Sequence, residues 1–391
     1  MTPSARVQGA IEILDLIIAA ARMGGAAADR ITAEWFRSNR YAGSKDKRAI
    51  REHVYDAIRA CGPVPANGRA AMLRLAQEQP DLRKLFDGSQ YGPAPIASDE
   101  IAAKGGLAPA WLVDRLAASG ITGEHADALL ERAPLDLRVN TLKAEPATVD
   151  LPVQAQPAPA PNALRLPAGS PVEQWSEWQN GLIEVQDAGS QLACRTVGAQ
   201  PGETVVDLCA GAGGKTLALA AAMQDCGRLI ATDTDRARLS RLAPRAQRAG
   251  VTIAETRLLD PGREGEVLHD LAGKADAVLV DAPCSGTGTW RRNPEARWRL
   301  TEAQLAQYVA LQARLLGIAS MLVRPGGRLV YVVCSLLDEE GAAQSQAVLQ
   351  RLDGWQAGPP EIGEKRGIGA RLDPYRHDTD GFFIARLLRA C

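Results

Sequence analysis

The sequence contains no pair of cysteines in a C-x-x-C arrangement, and its seven cysteines are scattered over 391 residues. Zinc-binding and thioredoxin-like functions therefore find no support, because both depend on closely spaced cysteines. An odd, dispersed set of thiols in a chain of this length favours a reducing cytoplasm over a disulfide framework. Internal repeats are also lacking, which argues against a solenoid or another repeat architecture.

The chain has no excess of charge of either sign, with 45 basic and 46 acidic residues and a formal net charge of −1. Its overall balance therefore gives no indication of a polyanionic partner. A local cluster of basic residues can still form a nucleic-acid-binding surface, because the electrostatic footprint depends on where charges cluster.

Long uninterrupted apolar runs are missing as well. The apolar N-terminal run AIEILDLIIAAA is interrupted by Glu12 and Asp15. Apolar side chains in and just before this run recur on one helical face: Val7, Ile11, Leu14, Ile18 and Ala21. This periodicity predicts an amphipathic helix rather than a signal peptide. No stretch is expected to span a membrane.

Length and sequence pattern predict three domains. Residues 1–95 are expected to form an all-helical domain, and residues 96–178 a small α+β domain. In residues 179–391 the strand-like runs TVVDL, RLIAT, DAVLVD and GRLVYVV alternate with helical segments. This alternation predicts an α/β fold with a doubly wound, mainly parallel, Rossmann-like sheet. Seven prolines between residues 144 and 171 predict a semi-rigid, poorly structured linker or surface loop.

One segment of the helical domain, GSKDKRAIREHVYDAIRA, is locally basic. Ser44 is predicted to cap a helix that has Asp46 in its first turn. Lys45, Lys47 and Arg48 follow closely. They form either an ordinary solvated helix face or a face that contacts RNA.

A glycine-rich turn follows the first strand of the α/β region. TVVDL runs into DLCAGAGGKTLALAAA, so that a strand, a turn and a helix N-terminus bring backbone amides together. A Walker phosphate loop does not fit, because Cys209 occupies the position of its first glycine. The G-x-G-x-x-G dinucleotide fingerprint fails at Thr216. A nucleoside-binding variant of the same architecture remains.

Such a site needs an acidic residue at the end of the second strand to bind the ribose hydroxyls. Asp233 meets this requirement, 22 residues after Gly211. Asp235 is predicted to cap the next helix, and Asp260 to approach the adenine side of a nucleoside. The alternative for Asp233 and Asp260 is that they only cap helices.

Two cysteines and one aspartate follow the next two strands. VLVDAPCSGTGTW places Asp281 and Cys284 at the end of the fourth strand, and LVYVVCSLLDEEG places Cys334 at the end of the fifth. Because ligands bind at the carboxyl ends of such strands, these side chains are expected to converge in one crevice. Methylation of a pyrimidine carbon needs this set, since a thiolate that adds to carbon 6 of cytosine makes carbon 5 nucleophilic. Cys209 is expected to contribute backbone and packing instead.

The segment after Cys284 is rich in arginine and tryptophan. Its arginines are Arg291, Arg292, Arg297 and Arg299, interleaved with Trp290 and Trp298. Arginines bind phosphates and tryptophans stack on bases, so beside a pyrimidine site this segment predicts an RNA-binding track. The alternative is an ordinary charged surface.

The motifs together resemble the Nop/Sun family of RNA cytosine-5 methyltransferases. The resemblance covers roughly residues 135–389 and is carried by GLIEVQDAGSQLA, DLCAGAGGKT, DAPCSGTGTWRRNPEARW, VRPGGRLVYVVCSLLDEEG and TDGFFIARL. In the N-terminal region, YAGSKDKRAIREHVYDAIR is similar to the NusB-like RNA-binding domain of the bacterial RsmB branch.

This resemblance implies that S-adenosylmethionine is the cofactor, that Cys334 attacks the base and that Cys284 assists product release. The implied cofactor contacts are Cys209, Ala210, Gly211, Ala212, Gly213, Gly214, Lys215, Asp233, Asp260 and Asp281. Asp281 is also assigned to catalysis. RNA, and ribosomal RNA in particular, is the implied substrate, and the expected RNA contacts are Lys45, Arg48, Arg291, Arg292 and Arg297. The expected protein is a cytoplasmic monomer without a metal ion and without a membrane partner.

The sequence departs from the family pattern at two places. GAGG stands at residues 211–214 where the family has Ala-Pro-Gly-Gly, and Val333 precedes the nucleophile where the family has threonine. Glycine should preserve the turn, whereas valine removes a possible hydroxyl contact. Three alternatives stay open: a DNA-type mechanism with Cys284 as nucleophile, a transfer RNA target, and a non-catalytic RNA-binding ribosome assembly factor.

Overall fold

The computed structural model describes residues 1–391, and the chain divides into two compact units. The first unit comprises Met1–Glu131 together with Thr289–Thr301, and the second comprises Arg132–Gly288 and Glu302–Cys391. Residues 96–131 thus belong with the N-terminal helices, whereas the sequence predicted a separate domain over residues 96–178. The predicted three-domain boundaries stay a prediction.

Seventeen α-helices form along the chain. Up to residue 131 they are α1 (Pro3–Met23), α2 (Ala28–Ser38), α3 (Ser44–Ala60), α4 (Gly68–Glu78), α5 (Pro80–Arg83), α6 (Ala110–Ala118) and α7 (Glu124–Asp127). Beyond it they are α8 (Ser176–Gln179), α9 (Ala188–Val197), α10 (Gly214–Ala222), α11 (Arg236–Leu239), α12 (Leu242–Ala249), α13 (Glu264–Leu268), α14 (Ala296–Arg299), α15 (Glu302–Leu322), α16 (Ala342–Leu349) and α17 (Pro374–His377). Single 3-10 turns cover Ala128–Leu130, Val172–Gln174, His269–Leu271 and Thr287–Thr289.

The helical core of the first unit follows the sequence pattern closely. The side chain of Thr2 caps α1 by accepting a hydrogen bond from the Ala5 amide, and Gly24 ends the helix with φ of 70°. The five predicted apolar positions of α1 are all buried. The predicted cap of α3 is wrong: Gly43 is the N-cap, Ser44 is the first helical residue, and the Asp46 carboxylate accepts from the Gly43 amide at 3.1 Å.

The second unit begins with a four-stranded antiparallel sheet in the order β2-β3-β1-β4. Its strands are β1 (Leu135–Val139), β2 (Gln156–Pro157), β3 (Ala163–Leu166) and β4 (Ile183–Val185). The proline-rich segment is therefore not only a linker, because it supplies β2 and β3. Ala163 and Leu166 bury their side chains, and Pro157 lies on the edge strand, where its missing N–H is tolerated.

A nine-stranded sheet forms the centre of the second unit. Its strands are β5 (Thr204–Asp207), β6 (Arg228–Asp233), β7 (Ala254–Leu258), β8 (Ala275–Asp281), β9 (Val323–Val333), β10 (Trp355–Ala357), β11 (Glu364–Arg366), β12 (Gly369–Leu372) and β13 (Phe382–Arg389). Strands β7-β6-β5-β8-β9 are parallel in that order. β13 pairs antiparallel with β9 and continues into β12 and β11. The predicted doubly wound, mainly parallel sheet is confirmed.

Both faces of the parallel strands are covered by helices. Val205 packs with residues of α9, α10 and α12 on one face, and the next residue, Val206, packs with residues of α13, α15 and α16 on the other. Burial on both faces explains the continuous apolar runs of these strands. The chain leaves β5 towards β6 and β7 and then crosses to β8, which makes the carboxyl ends of β5 and β8 a topological switch point and the expected ligand crevice.

Helix α15 is long and apolar enough, by length and composition, to cross a membrane. The expectation that no stretch reaches this length was therefore wrong. A core helix of a soluble protein meets the same criterion, and α15 packs Leu315, Leu316 and Ala319 into the core beneath the sheet. Its Arg314 forms an ion pair with the buried Glu264 at 2.6 Å.

Candidate active site

A cavity of about 570 Å³ opens at the carboxyl ends of β5, β6, β8 and β9. Six residues of the predicted cofactor set line it: Cys209, Ala210, Gly211, Ala212, Asp233 and Asp281. Cys284 and Cys334 line the same cavity. Both halves of the predicted site are thus brought together at the switch point.

The glycine-rich turn adopts a backbone that favours glycine. Gly211 and Gly213 have φ of 56° and 86°, in the left-handed region. A Cβ on Gly213 would lie 2.1 Å from Cδ1 of Leu242, so this position has no room for a side chain. Gly213 matches a glycine of the family's Ala-Pro-Gly-Gly, and the two departures from that pattern are at Gly211 and Ala212, where a Cβ on Gly211 would meet no neighbouring atom.

Asp233 joins this turn to the end of β6. Its Oδ2 accepts a hydrogen bond from the Gly211 amide at 2.8 Å, and its Oδ1 accepts one from the Asp235 amide at 2.7 Å. Asp235 in turn caps α11 by accepting from the amides of Ala237 and Arg238, which confirms its predicted role. Because a carboxylate has about four acceptor positions, Asp233 retains capacity for two more donors.

Four predicted cofactor residues do not line the cavity. Gly213, Gly214 and Lys215 lie behind its wall, and Asp260 is exposed outside it. Leu259 and Glu264, which the sequence did not single out, line the cavity beside β7. The assignment of Asp260 to the adenine side stays a prediction.

Lys215 does not line the cavity but forms an ion pair with Asp281, which does. Its Nζ lies 2.6 Å from Oδ2 of Asp281. Burial is the largest single influence on Lys215 and would lower its pKa, but the Asp281 carboxylate, together with the neighbouring Cys194 and Cys334, raises the pKa above its ordinary value. Lys215 therefore stays charged and holds the Asp281 carboxylate in one orientation.

Asp207 is a second carboxylate behind the turn, fully buried at the end of β5. Its Oδ2 accepts from the Thr216 hydroxyl at 2.7 Å. Burial, reinforced by the charge of Asp281, raises the pKa of Asp207 to about 7.

The two cysteines of the site are in direct contact, with Cys284 Sγ 3.3 Å from Cys334 Sγ. The hydrogen bond with Cys334 and burial both raise the pKa of the Cys284 thiol well above its ordinary value. Both sulfurs are placed to reach the same substrate atom, and the assignment of Cys334 as the nucleophile stays a prediction. This arrangement brings two thiols within reach of one small ring.

Several residues that hold this site were missed by the sequence analysis. The buried Glu340 accepts hydrogen bonds from Ser285 and Ser335, which directly follow the two cysteines. Gln312 of α15 donates to Glu340 at 3.0 Å. The only signal was the run of three acidic residues in LLDEEG after Cys334, which resembles an exposed turn.

The predicted RNA track after Cys284 is wrong for two of its arginines. Arg291 is 3% exposed and Arg297 is fully buried. The Arg297 guanidinium donates to the carbonyls of Ile58 at 2.7 Å and Cys61 at 2.8 Å, within the helical unit. A buried guanidinium whose donors are used by carbonyls cannot bind phosphate.

Most of the other aromatic and basic residues of this segment also contribute to the packing of the helical unit. Trp290 and Trp298 are buried, so they cannot stack on bases. Arg299 donates to the Gly25 carbonyl at 2.7 Å. Arg292 is partly exposed, and its contact with RNA stays a prediction.

The basic face of the helical unit is open. Lys45 is exposed, and Arg48 is exposed with an ion pair to Glu52 at 3.3 Å. Beside them a shallow cavity of about 470 Å³ carries four cationic side chains around the Phe36 ring: Arg37, Arg40, Lys47 and Arg51. Lys47 and Arg51 lie 5.9 Å and 5.7 Å from the ring centroid. We name these four cations with Lys45 and Arg48 the α2–α3 basic face.

Comparison with known proteins gives consistent results. Residues 195–388 match the family model described as 16S rRNA methyltransferase RsmB/F. The chain is 38% identical to a probable ribosomal RNA small subunit methyltransferase B from Synechocystis sp., over 66% of this chain and 60% of that protein. It is 32% identical to ribosomal RNA small subunit methyltransferase B from Sodalis glossinidius, over 81% of this chain and 74% of that protein.

Among solved structures, the crystal structure of PH0851 is similar with a TM-score of 0.76 and 27% identity, over 99% of both chains. The match to the Synechocystis protein leaves about two fifths of that protein's length uncovered. The similarity to the Sodalis protein nevertheless extends over most of both sequences, and the residues matched by the family model include the strands that carry the two cysteines. The chain belongs to the RsmB/F family of 16S rRNA methyltransferases.

Proposed function

We propose that this chain methylates carbon 5 of a cytosine in small-subunit ribosomal RNA through a covalent adduct between Cys334 and the base. The observation that carries the proposal is the 3.3 Å contact between Cys284 and Cys334 in the cavity that also contains Asp233 and the glycine-rich turn. Methylation of an oxygen or a nitrogen needs no thiol, so a pair of thiols favours a carbon target.

The cofactor of this family is S-adenosylmethionine, and the cavity fits it. Asp233 has free acceptor positions for two ribose hydroxyls, and the backbone of Gly211 and Ala212 lines the wall beside it. The volume of about 570 Å³ lies within the range of small-molecule sites. When bound, the cofactor supplies an electrophilic methyl group.

The protein's own residues then divide the chemistry. The Cys334 thiolate forms a bond to carbon 6 of the cytosine, which gives carbon 5 the electron density to accept a methyl group. Asp281, anchored through Oδ2 by Lys215, stabilises a proton on the ring nitrogen and thereby promotes the addition. After transfer, a base removes the proton from carbon 5, the electrons of that bond restore the double bond between carbons 5 and 6, and Cys334 leaves as a thiolate; Cys284 is proposed to assist this release.

The RNA must present the cytosine out of its stack, because a paired base cannot expose carbon 6 to a thiolate. The α2–α3 basic face is proposed to bind flanking phosphates, with Lys45 and Arg48 as two of its contacts. In the arginine-rich segment after Cys284, Arg292 remains a proposed RNA contact. A monomer acting in the cytoplasm is the proposed working state.

Cysteine variants test the proposal. Cys334→Ala should abolish methyl transfer to small-subunit ribosomal RNA and form no adduct, because no thiolate is left to add to the base. Cys284→Ala should accumulate a protein–RNA adduct that survives a denaturing gel. The measurement is incorporation of radiolabelled methyl groups together with gel mobility.

Other outcomes would point elsewhere. Wild-type turnover by Cys334→Ala contradicts the assignment of the nucleophile. Loss of the adduct in Cys284→Ala favours the DNA-type mechanism instead. Methyl incorporation into transfer RNA alone would support the proposed chemistry but identify transfer RNA as the substrate. Binding of S-adenosylmethionine without methyl transfer to any RNA would support a non-catalytic assembly factor.

A further inference from the structure

A buried carboxylate that the mechanism does not use lies beneath the two thiols. Glu340 is fully buried in the segment between β9 and α16. Its own backbone carbonyl accepts a hydrogen bond from the hydroxyl of Tyr331 in β9 at 2.6 Å. Glu340 is therefore fixed to the sheet rather than carried on a loose loop.

Both carboxylate oxygens of Glu340 are used by neighbours of the thiols. Oε1 accepts from the Ser285 amide at 2.8 Å and from Gln312 Nε2 at 3.0 Å. Oε2 accepts from the Ser335 hydroxyl at 2.5 Å and from the Ser285 hydroxyl. Ser285 directly follows Cys284, and Ser335 directly follows Cys334. A single side chain thus binds both cysteine-bearing loops.

Further hydrogen bonds close this network around Glu340. The Thr287 hydroxyl donates to that of Ser335 at 3.1 Å, whereas the Ser285 and Ser335 hydroxyls, whose protons both go to Glu340, are only in contact at 3.1 Å. The same Thr287 oxygen accepts from the Leu336 amide at 2.9 Å. Gln312 Nε2 also donates to the Pro283 carbonyl at 3.0 Å. The residues on both sides of Cys284 and the residues that follow Cys334 are therefore held by one buried polar network.

We propose that Glu340 is the positioning residue of the two thiols: its buried carboxylate sets the loops of Cys284 and Cys334 so that both sulfurs face one base. This proposal rests on the proposed function, in which one thiol adds to the ring and the other assists release. Both steps need a sulfur within bonding reach of the same ring, and a displacement of about 1 Å lowers a rate by about 100-fold.

Two substitutions at Glu340 separate geometry from charge. In Glu340→Gln the amide oxygen still accepts from the Ser285 amide and Gln312, while the amide nitrogen donates to the serine hydroxyls, which accept as readily as they donate. Glu340→Ala removes all of these side-chain hydrogen bonds. A positioning role predicts that Glu340→Gln keeps kcat within about fivefold, whereas Glu340→Ala loses about 100-fold in kcat with its KM for S-adenosylmethionine unchanged.

A second readout needs neither RNA nor activity. Diamide takes two electrons and two protons from a pair of neighbouring thiols and leaves a disulfide, so the rate of Cys284–Cys334 linkage reports how closely the sulfurs approach. Peptide mapping by mass spectrometry should show linkage at similar rates in the wild type and Glu340→Gln, and at least tenfold slower linkage in Glu340→Ala. Asp353→Ala, which removes an exposed carboxylate of the same unit, serves as the matched control.

The outcomes distinguish this proposal from the proposed function. If kcat and the rate of disulfide formation fall equally in both Glu340 variants, Glu340 supplies charge rather than geometry. If Glu340→Ala keeps the wild-type kcat and the wild-type rate of disulfide formation, Glu340 does not position the thiols. If Glu340→Ala does not fold, Ser335→Ala removes one hydroxyl of the network and should still slow linkage and turnover; unchanged values there overturn the proposal. If the wild type methylates no RNA, the linkage rates alone still decide whether Glu340 holds the thiols.

Discussion

Replacing Arg297 with methionine tests whether the arginine-rich segment after Cys284 supports the fold or binds RNA. Arg297 is fully buried, and its guanidinium donates to the carbonyls of Ile58 and Cys61 around the end of α3. The last carbonyls of a helix have no partner within the helix, and a cation at this end is also favoured by the helix dipole. Methionine retains much of the side-chain volume but removes every donor.

The expected loss follows from these contacts. Hydrogen bonds to a charged donor contribute roughly 1.5–3 kcal/mol each, and Arg297 makes two of good length at the end of α3. Burial opposes this gain and lowers the pKa of Arg297 to about 10. We therefore expect a net loss of about 3 kcal/mol in the free energy of unfolding, because two buried carbonyls lose a charged donor. This corresponds to a Tm lower by roughly 6–12 °C.

Hydrogen exchange followed by mass spectrometry is the decisive assay, because it reports on α3 separately from the α/β unit. Peptides that cover the end of α3 should exchange faster in Arg297→Met, while peptides of the central sheet keep their protection. Arg48→Met, on the exposed side of the same helix, should change stability by less than about 0.5 kcal/mol. Wild-type exchange in Arg297→Met together with weaker RNA binding would refute the structural role and restore the RNA track.

Three further variants test the other assignments. Asp233→Ala should weaken binding of S-adenosylmethionine by roughly 10- to 100-fold in calorimetry, because the ribose loses a charged acceptor; unchanged affinity would place the ribose elsewhere. The double variant Lys47→Ala, Arg51→Ala should flatten the salt dependence of RNA binding by about 0.7 logarithmic units per lost single-strand contact, and an unchanged slope would remove the α2–α3 basic face from the RNA path. Burial raises the pKa of Asp207 to about 7, so the folded state holds a proton that the unfolded chain releases near pH 4, and stability should fall as pH rises from about 4 to 7. Asp207→Asn should lose this decline in urea titrations across that range, and a slope equal to that of the wild type would contradict the raised pKa.

The position of the reactive groups could be predicted because strand ends are a local property of the sequence. An apolar run that stops at Asp281 and another that stops just before Cys334 mark two carboxyl ends, and the register pairs Asp281 with Val332 in the neighbouring strand. Once both strands are parallel neighbours, the two cysteine loops must meet. The parallel part of the central sheet and the centre of the site therefore follow from hydrophobic pattern and strand topology.

The support beneath the site could not be predicted in this way. Glu340 lies 55 residues from Ser285 along the chain. The acidic run Asp338–Glu340 that contains it has the composition of a solvated turn. Only the folded structure shows that this carboxylate is surrounded by donors. The proline-rich segment was misjudged for a related reason, since β3 is held by its register with β1, and strand pairing of this kind depends on the partner rather than on local composition.

The arginine-rich segment shows why a cluster of basic residues does not identify an RNA-binding surface. Arg297 finds its partners 236 and 239 residues earlier in the chain, where no local pattern points to them. Its nearness to Cys284 in sequence suggested a role beside the base, yet Thr289–Thr301 belongs to the helical unit. Guanidinium groups are unusually suited to this interior role, because their planar donors bind several carbonyls at once. The α2–α3 basic face, where Lys47 and Arg51 lie near the Phe36 ring, is the surface on which RNA binding should be sought.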